Sequence, residues 1–136
     1  MEFKLSSRSL KNVTGVHPDL IRVINLALQI SKIDFGIPET GGIRNADEQN
    51  ILFLEGKSKC NGYDNRSAHQ DGNAFDYFAY EHGRLSYKDK DMAMVATAIL
   101  QAASQLGVSV EWSGLWTGFH ELCHIQLLNP PGFRTV

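Results

Sequence analysis

The residues best suited to do chemistry lie in one ten-residue stretch, Ser-Ala-His-Gln-Asp-Gly-Asn-Ala-Phe-Asp at 67–76. It places the imidazole of His69 and the carboxylate of Asp76 seven positions apart, and Gly72 between them allows a turn. Histidine nitrogen and aspartate oxygen are common zinc ligands, and a catalytic zinc has three protein ligands and one open position. The stretch therefore predicts two ligands of a metal site, and a third must come from elsewhere in the chain.

The third ligand is expected in the segment His-Glu-Leu-Cys-His at 120–124. On a helix, a His-Glu-x-x-His segment supplies two ligands, here His120 and His124, with Glu121 as the general base. In a second arrangement, only His124 is a ligand, and Glu121 turns toward the metal from the point where a loop meets a strand.

Two observations favour the second arrangement. The chain after this segment contains no His, Asp or Glu that could complete a helical site, and prolines at 130 and 131 leave little room for a helix. An isolated buried carboxylate is costly unless it is paired or binds a metal, so an aspartate in an aromatic-rich strand is a good ligand candidate. We therefore expect one zinc held by His69, Asp76 and His124, with Glu121 as base and His120 not a ligand.

Length and composition bound the class of protein. The 136 residues suffice for one domain, expected over 1–136 with a motif-bearing core at about 33–128. The net charge of −2 gives no reason to expect nucleic acid, and no apolar run is long enough to cross a bilayer. The beginning of the chain lacks the apolar segment of a signal peptide, which predicts synthesis in the cytoplasm. Cys60 and Cys123 lack metal-motif spacing, and each is expected to be a buried thiol.

Local signals predict two of the helices around the motifs. Apolar spacing predicts a helix from Pro18, at its first turn, to near Ser31. Asn45 with Glu48 resembles a capping box that starts a short helix closed by Gly56. An apolar side for this short helix is expected from three residues: Ile51, Leu52 and Leu54.

The remaining signals predict strands and a third helix. Short alternating or apolar runs predict strands at 33–37, 74–79, 108–112 and 122–127. Asp76 would then lie in the middle of a strand, and 81–84 would be a hairpin tip. Ser86 and Asp89 suggest a capping box for a long helix that ends at Gly107.

Several motifs then occur in an order that resembles a known family. They are Gly42-Ile43-Arg44 followed by Gln49, Gly56-Lys57-Ser58-Lys59-Cys60, Ser67-x-His69-x-x-Gly72-x-Ala74-x-Asp76, Trp112-Ser113-Gly114-Leu115-Trp116 and Glu121-x-x-His124. Over about 35–127, the chain resembles the zinc peptidoglycan peptidases that include D-Ala-D-Ala carboxypeptidases and phage L-alanyl-D-glutamate endolysins. The resemblance implies one α+β domain, with a small antiparallel sheet flanked by helices, of the hedgehog/DD-peptidase type.

The resemblance also implies roles for individual residues. His69, Asp76 and His124 correspond to the zinc ligands and Glu121 to the catalytic base. Arg44 corresponds to a residue that binds the substrate and the oxyanion. Further substrate-binding residues are expected to be Gln49, Ser67, Trp112 and Trp116.

The function implied is hydrolysis of peptidoglycan stem peptides, with the bond between L-Ala and D-Glu favoured. The missing signal segment and small size suit a monomeric phage or prophage endolysin that acts on peptidoglycan in the periplasm or cell wall, without nucleic acid or membrane insertion. A D-Ala-D-Ala carboxypeptidase or dipeptidase is the main alternative. A non-catalytic hedgehog-like zinc-binding module is a second alternative, against which Glu121 argues, because a purely structural zinc needs no adjacent base.

Overall fold

The structure is a computed structural model, and it describes residues 3–117 and 121–128. The predictions for His120 and for the two prolines at 130 and 131 lie outside the described residues. The helices are α1 Ser7–Asn12, α2 Pro18–Ile30, α3 Ala46–Leu54 and α4 Asp89–Leu106, with 3-10 turns at Ala68–Asp71 and Ser113–Leu115. The strands are β1 Phe35–Gly36, β2 Ala74–Asp76, β3 Phe78–Glu81, β4 Arg84–Ser86, β5 Val110–Trp112 and β6 His124–Leu127.

The described strands form two antiparallel sheets of three strands each, ordered β1-β3-β4 and β2-β6-β5. The single strand predicted at 74–79 is therefore wrong, because the chain leaves one sheet for the other at Tyr77. The Tyr77 ring is fully buried there, and its hydroxyl lies 2.9 Å from the carbonyl oxygen of Met92 and 2.7 Å from that of Leu122. Asp76 consequently ends β2 instead of occupying the middle of a longer strand.

The apolar core lies between the two long helices and the inner faces of the sheets. Helices α2 and α4 pack against each other, and α4 also contacts β3 and β5. The core side of α2 consists of Leu20, Val23, Ile24, Ala27 and Leu28. The matching side of α4 includes Val95, Ala98, Ile99 and Ala102. Burial of these two stripes provides the rigid support on which the short strands carry their polar residues.

Most predicted helix ends are confirmed. Helix α2 ends one residue before Ser31, and α4 is followed by Gly107 in the left-handed region at φ 70°. The capping box predicted at Ser86 and Asp89 is wrong, because α4 has Lys88 as its N-cap with no side-chain cap. The Ser86 hydroxyl instead accepts from the Lys88 amide at 3.2 Å and donates to Asp91 Oδ2 at 2.7 Å.

Helix α3 begins as predicted but packs differently. Asn45 and Glu48 form the expected capping box, and Gly56 follows the helix in the left-handed region at φ 77°. The expected apolar packing side is wrong, because the Ile51 and Leu54 side chains are 55% and 74% exposed. The buried residue of the helix is Gln49. Helix α3 is thus held to the protein by polar contacts rather than by an apolar stripe.

The hairpin tip at 81–84 is confirmed between β3 and β4. The other predicted strands are shorter than expected, since β1, β5 and β6 begin at 35, 110 and 124. Helix α1 was not expected from the sequence. No helix within the described part of the chain is long and apolar enough to span a membrane.

Candidate metal centre and active site

The three predicted ligands come together because a capped turn faces a pair of strands. The Ser67 hydroxyl accepts from the His69 amide at 3.2 Å, which starts the 3-10 turn that carries His69. Gly72 ends the turn in the left-handed conformation, at φ 73°, and the chain enters β2. In the register of β2 with β6, Asp76 lies directly opposite His124. The turn thus places His69 against a cross-strand Asp-His pair.

The ligand atoms form a nearly equilateral triangle. His69 Nε2 lies 3.1 Å from Asp76 Oδ1 and 3.2 Å from His124 Nδ1. His124 Nδ1 lies 3.1 Å from the same Asp76 oxygen. A tetrahedral ion with bonds of about 2.0–2.1 Å holds neighbouring ligands about 3.3 Å apart. The triangle therefore has the size that such an ion requires.

In each histidine, the ring nitrogen that faces away from the triangle has a hydrogen-bond partner, and the other ring nitrogen faces the metal position. His69 Nδ1 lies 2.9 Å from the carbonyl oxygen of Gly42, which can only accept, so Nδ1 carries the proton and Nε2 keeps its lone pair. His124 Nε2 lies 2.9 Å from Oε1 of Gln126, which allows Nε2 to carry the proton when Nδ1 binds a metal. Two nitrogen lone pairs and a carboxylate oxygen meet at one point. This set of donors fits a divalent cation, and hydrogen bonds of this kind orient metal ligands.

Charge and burial act on the three groups together. Burial would raise the pKa of the Asp76 carboxyl, but the adjacent His69 and His124 rings outweigh burial and hold that pKa well below its usual range. Burial lowers the pKa of His69. Burial also acts to lower the pKa of His124, but the hydrogen bond and charge of Asp76 outweigh it and raise that pKa. Asp76 is therefore the fixed negative charge of the centre.

Arg44 binds the side of Asp76 that faces away from the metal ligands. Its Nη2 donates to Asp76 Oδ2 at 2.9 Å, and its Nε donates to the Thr40 carbonyl at 2.8 Å. Its Nη1 donates to Gln49 Oε1 at 2.9 Å. The guanidinium is 8% exposed and contributes to the wall of the adjacent cavity. Arg44 thus fixes the carboxylate of Asp76 with one oxygen turned toward the two histidines.

The resemblance implied that Gln49 binds substrate, but the structure places its side chain in the interior. Its side chain is fully buried, and its Nε2 donates to Ser58 Oγ and to the Cys60 carbonyl, each at 2.8 Å. Its Oε1 is occupied by Arg44. A direct contact with substrate does not fit this burial. Gln49 instead connects the arginine behind the metal centre to the loop that forms one wall of the cavity.

Replacing Gln49 with methionine is expected to lower the free energy of unfolding by about 1–3 kcal/mol, because buried donors and acceptors lose their partner. Urea unfolding monitored by circular dichroism measures this change. The exposed Gln29 of α2, replaced in the same way, is the matched control and should have no effect. An unchanged stability combined with a raised KM for Gln49→Met would instead support direct substrate contact.

A cavity of about 320 Å³ opens beside the metal centre. The predicted site residues that line it are Arg44, Ser67, His69, Trp116, Glu121 and His124. Its remaining walls include Lys57, Ser58, Lys59, Cys60, Thr117 and Gln126. The cavity joins the open side of the triangle to solvent and has room for part of a peptide.

Glu121 lies beside the metal centre and faces the cavity. One of its carboxylate oxygens lies within 4.8 Å of a carboxylate oxygen of Asp76 and of the Cys123 sulfur. The buried Ser113 hydroxyl donates to the Glu121 carbonyl, which holds this segment in place. Burial, and then the negative charge of Asp76, raise the pKa of Glu121. A carboxylate whose pKa is raised toward neutral pH is well matched to general acid–base catalysis.

The two predicted tryptophans have different positions. The Trp116 ring lines the cavity, with its centroid 5.6 Å from that of the His124 ring. Trp112 is half-buried against the core, and its Nε1 donates to the Leu122 carbonyl at 2.9 Å. Trp112 therefore supports the turn before β6 and is not among the described cavity-lining residues. Cys60 and Cys123 are half-buried, so the expectation of two fully buried thiols is wrong.

Two residues important to the centre were missed at the level of the sequence. Gly42 belongs to the arginine motif, but nothing in the motif indicated that its carbonyl orients His69. Gln126 could have been found, because strand alternation places it on the same face as His124, two positions later.

Gly42 allows a backbone approach that a side chain would block. A Cβ at this position would lie 2.0 Å from the Asn12 carbonyl oxygen. Gly42→Ala is therefore expected to shift the backbone that orients His69 and to destabilise the protein by about 1–3 kcal/mol, as other overpacked sites do. Zinc affinity, measured by competition with a chromogenic chelator, should fall as well. Wild-type stability and affinity in this variant would contradict the role given to the Gly42 carbonyl.

Comparison with known proteins identifies the family and the fold of the chain. The model of the phage L-alanyl-D-glutamate peptidase family matches residues 1–125. The L-alanyl-D-glutamate peptidase of Escherichia phage T5 is 32% identical over 123 residues, and the match covers 85% of this chain and 83% of the relative. The crystal structure of the Serratia marcescens L-Ala D-Glu endopeptidase ChiX superposes with a TM-score of 0.81 at 36% identity. That match covers 95% of this chain and 91% of the other.

The family match extends over nearly the whole chain, and the structural match confirms the expected small α+β fold. The described residues also hold a buried His-Asp-His group that could hold a metal ion. The chain therefore belongs to the phage L-alanyl-D-glutamate peptidase family.

Proposed function

We propose that this chain is a zinc-dependent endopeptidase that hydrolyses the bond between L-Ala and D-Glu in peptidoglycan stem peptides. The observation that carries the proposal is the triangle of His69, Asp76 and His124 beside a cavity that also presents Glu121, in a chain of this family. Zinc suits two imidazoles and one carboxylate better than magnesium or calcium, which prefer oxygen ligands alone.

The proposed ligands are His69 Nε2, Asp76 Oδ1 and His124 Nδ1. When bound, zinc would supply a Lewis acid that polarises a carbonyl and lowers the pKa of water toward ~7. The protein's own part is to orient both histidines, with Nε2 of His69 and Nδ1 of His124 toward the metal position, and to hold Asp76 ionised. Gly42, Gln126 and Arg44 perform these tasks through the hydrogen bonds described above.

Glu121 is proposed to move the proton. It accepts a proton from the water that attacks the carbonyl carbon of L-Ala, and it returns that proton to the nitrogen of D-Glu as the C–N bond breaks. One water is added across one amide to give a carboxylic acid and an amine, which become a carboxylate and an ammonium group once the acid proton passes to the amine. The position of Glu121 on the cavity wall, close to Asp76 but outside the ligand triangle, supports this role.

Arg44 is proposed to have two roles. Among the described residues, three of its five N–H groups are donated to Thr40, Gln49 and Asp76, which leaves two on a side chain that lines the cavity. These two can donate to the oxyanion or to a substrate carboxylate. The other role is structural, because the same guanidinium holds Asp76. Ser67 and Trp116 are proposed substrate contacts because both line the cavity.

The wider role follows from the same chemistry. We propose that the chain works as a monomeric single-domain endolysin on cell-wall peptidoglycan, since the family is named for a phage peptidase. Neither the net charge of −2 nor the cavity suggests nucleic acid as a partner.

Mass spectrometry of purified muropeptides incubated with the zinc-loaded chain tests the scissile bond. The expected products are a glycan that retains only L-Ala and a peptide whose amino terminus is D-Glu. Free D-Ala as the sole product would replace the proposal with a D-Ala-D-Ala carboxypeptidase. Intact muropeptides despite full zinc occupancy would favour the non-catalytic zinc-binding module.

A further inference from the structure

Gln126 connects the metal centre to the cavity. It lies on β6 two residues after His124, is half-buried, and forms part of the cavity wall. Its Oε1 lies 2.9 Å from His124 Nε2. Neither the family resemblance nor the motifs in the sequence gave this residue a role.

The backbone holds Gln126 firmly in this position. Strand β6 is the central strand of its sheet, and Gln126 is paired with Ala74 of β2 on one side and with Glu111 of β5 on the other. Pairing on both sides fixes the backbone of a central strand through two ladders of hydrogen bonds. The fold therefore places the Cα atoms of Gln126 and His124 on one face of β6, from which their side chains can meet.

The hydrogen bond dictates which way round the Gln126 amide must lie. If His124 Nδ1 is to offer a lone pair to a metal, Nε2 must carry the proton and can only donate. The amide oxygen of Gln126 must then face His124, and its NH2 group must point away from the ring. That NH2 group has no partner among the described residues, and the side chain lines the cavity.

We propose that Gln126 is a positioning residue for the metal ligand His124 and, with the opposite end of its amide, a donor to a carbonyl oxygen of the bound peptide. This inference rests on the proposed zinc peptidase function. The same side chain would thereby orient a metal ligand and help to position the bound peptide. Glutamine suits both tasks, because it offers an acceptor and a donor without adding a charge to the centre.

Two variants separate the two tasks. Gln126→Met keeps the volume but loses both the acceptor and the donor, whereas Gln126→Glu keeps an acceptor for His124 and loses the donor. Gln101, exposed on α4, replaced by Met and by Glu gives the matched controls. The measurements are zinc affinity by competition with a chromogenic chelator, KM and kcat on a muropeptide, and the solvent exchange rate of the His124 Nε2–H proton in the zinc-loaded protein from NMR spectra.

Gln126→Met is expected to weaken zinc binding by about 10–100-fold, the usual effect of losing a hydrogen-bond partner behind a metal ligand. In the zinc-loaded protein, the His124 Nε2–H proton should exchange faster with solvent, because its acceptor is gone. Gln126→Glu is expected to retain zinc affinity and slow exchange of this proton but to raise KM about tenfold, as the loss of one hydrogen bond would.

Wild-type zinc affinity and an unchanged exchange rate of the His124 Nε2–H proton in Gln126→Met would overturn the positioning role, and these readouts do not require activity. An unchanged KM in Gln126→Glu would overturn the donor role. Failure of the wild-type chain itself to bind zinc would overturn the proposed function instead, so the two failures are distinguishable.

Discussion

Replacing Glu121 with glutamine is expected to slow peptidoglycan hydrolysis by about 10²–10⁴-fold, the usual cost of losing a positioned general base. Glutamine has nearly the same volume and can still form hydrogen bonds, but it cannot accept the proton of the attacking water. Zinc content should stay the same, because Glu121 lies outside the ligand triangle. The melting temperature should change little, since the side chain is half-buried on a cavity wall.

The measurement is the rate of release of new amino termini from sacculi at equal zinc loading. Glu39→Gln, a substitution at an exposed position away from the cavity, is the control and should keep the wild-type rate. If Glu121→Gln retains most of the activity, Glu121 is not the base. The same experiment separates an enzyme from a binding module, because only the enzyme has a rate to lose.

Replacing His69 with alanine is expected to reduce zinc from about one ion per chain to nearly none and to abolish hydrolysis. A three-ligand site reduced to two ligands loses both affinity and geometry. His69 is 1% exposed, so the variant also leaves a cavity behind and frees the Gly42 carbonyl. Zinc that binds only the folded protein raises its stability, so adding zinc should raise the melting temperature of the wild type but not of the variant.

Atomic emission analysis of dialysed protein measures the zinc content, and thermal unfolding with and without zinc measures the linkage. His82 is a suitable control histidine, because it is exposed at the hairpin tip. Its φ of 53° is best tolerated by asparagine, so the control variant is His82→Asn. Full zinc occupancy in His69→Ala would exclude the proposed ligand set.

The ligand set of the candidate metal centre could be predicted because its residues lie in short local motifs. Ser67 caps the turn, Gly72 ends it, and strand spacing places Asp76 a fixed distance later. His124 and Glu121 were found through the His-Glu-x-x-His segment at 120–124 and the order of the motifs. The cross-strand pairing of Asp76 with His124 is tertiary information, but the cost of an isolated buried carboxylate pointed to Asp76.

The parts that failed depend on long-range packing. An apolar stripe on α3 predicts burial of Ile51 and Leu54, yet the helix turns the other way so that Gln49 can reach Arg44 and the loop at 58–60. The spacing of apolar residues along one helix cannot predict a buried polar network whose members are far apart in sequence. The break of the predicted strand at Tyr77 also depends on long-range pairing, because β2 and β3 on either side of Tyr77 pair within different sheets.

Several motif residues support the site through hydrogen bonds to its other residues. Arg44 donates to Asp76, Gln49 accepts from Arg44, and Trp112 donates to the backbone of the turn before His124. Substitution of Gln49 or Trp112 would alter the site without removing a cavity-lining side chain, whereas substitution of Arg44 would remove both the support of Asp76 and a proposed substrate contact. Kinetic effects at these positions should therefore be interpreted together with stability and zinc affinity.

The proposed zinc dependence is tested most directly by removal and return of zinc during muropeptide digestion. The chain is stripped with a chelator, dialysed, and assayed by mass spectrometry before and after one equivalent of zinc is added. We expect no cleavage by the stripped protein and, on adding zinc, products cut between L-Ala and D-Glu, in wild type but not in His69→Ala. Cleavage at the same bond by the zinc-free protein, at the rate of the zinc-loaded protein, would contradict the proposed zinc dependence.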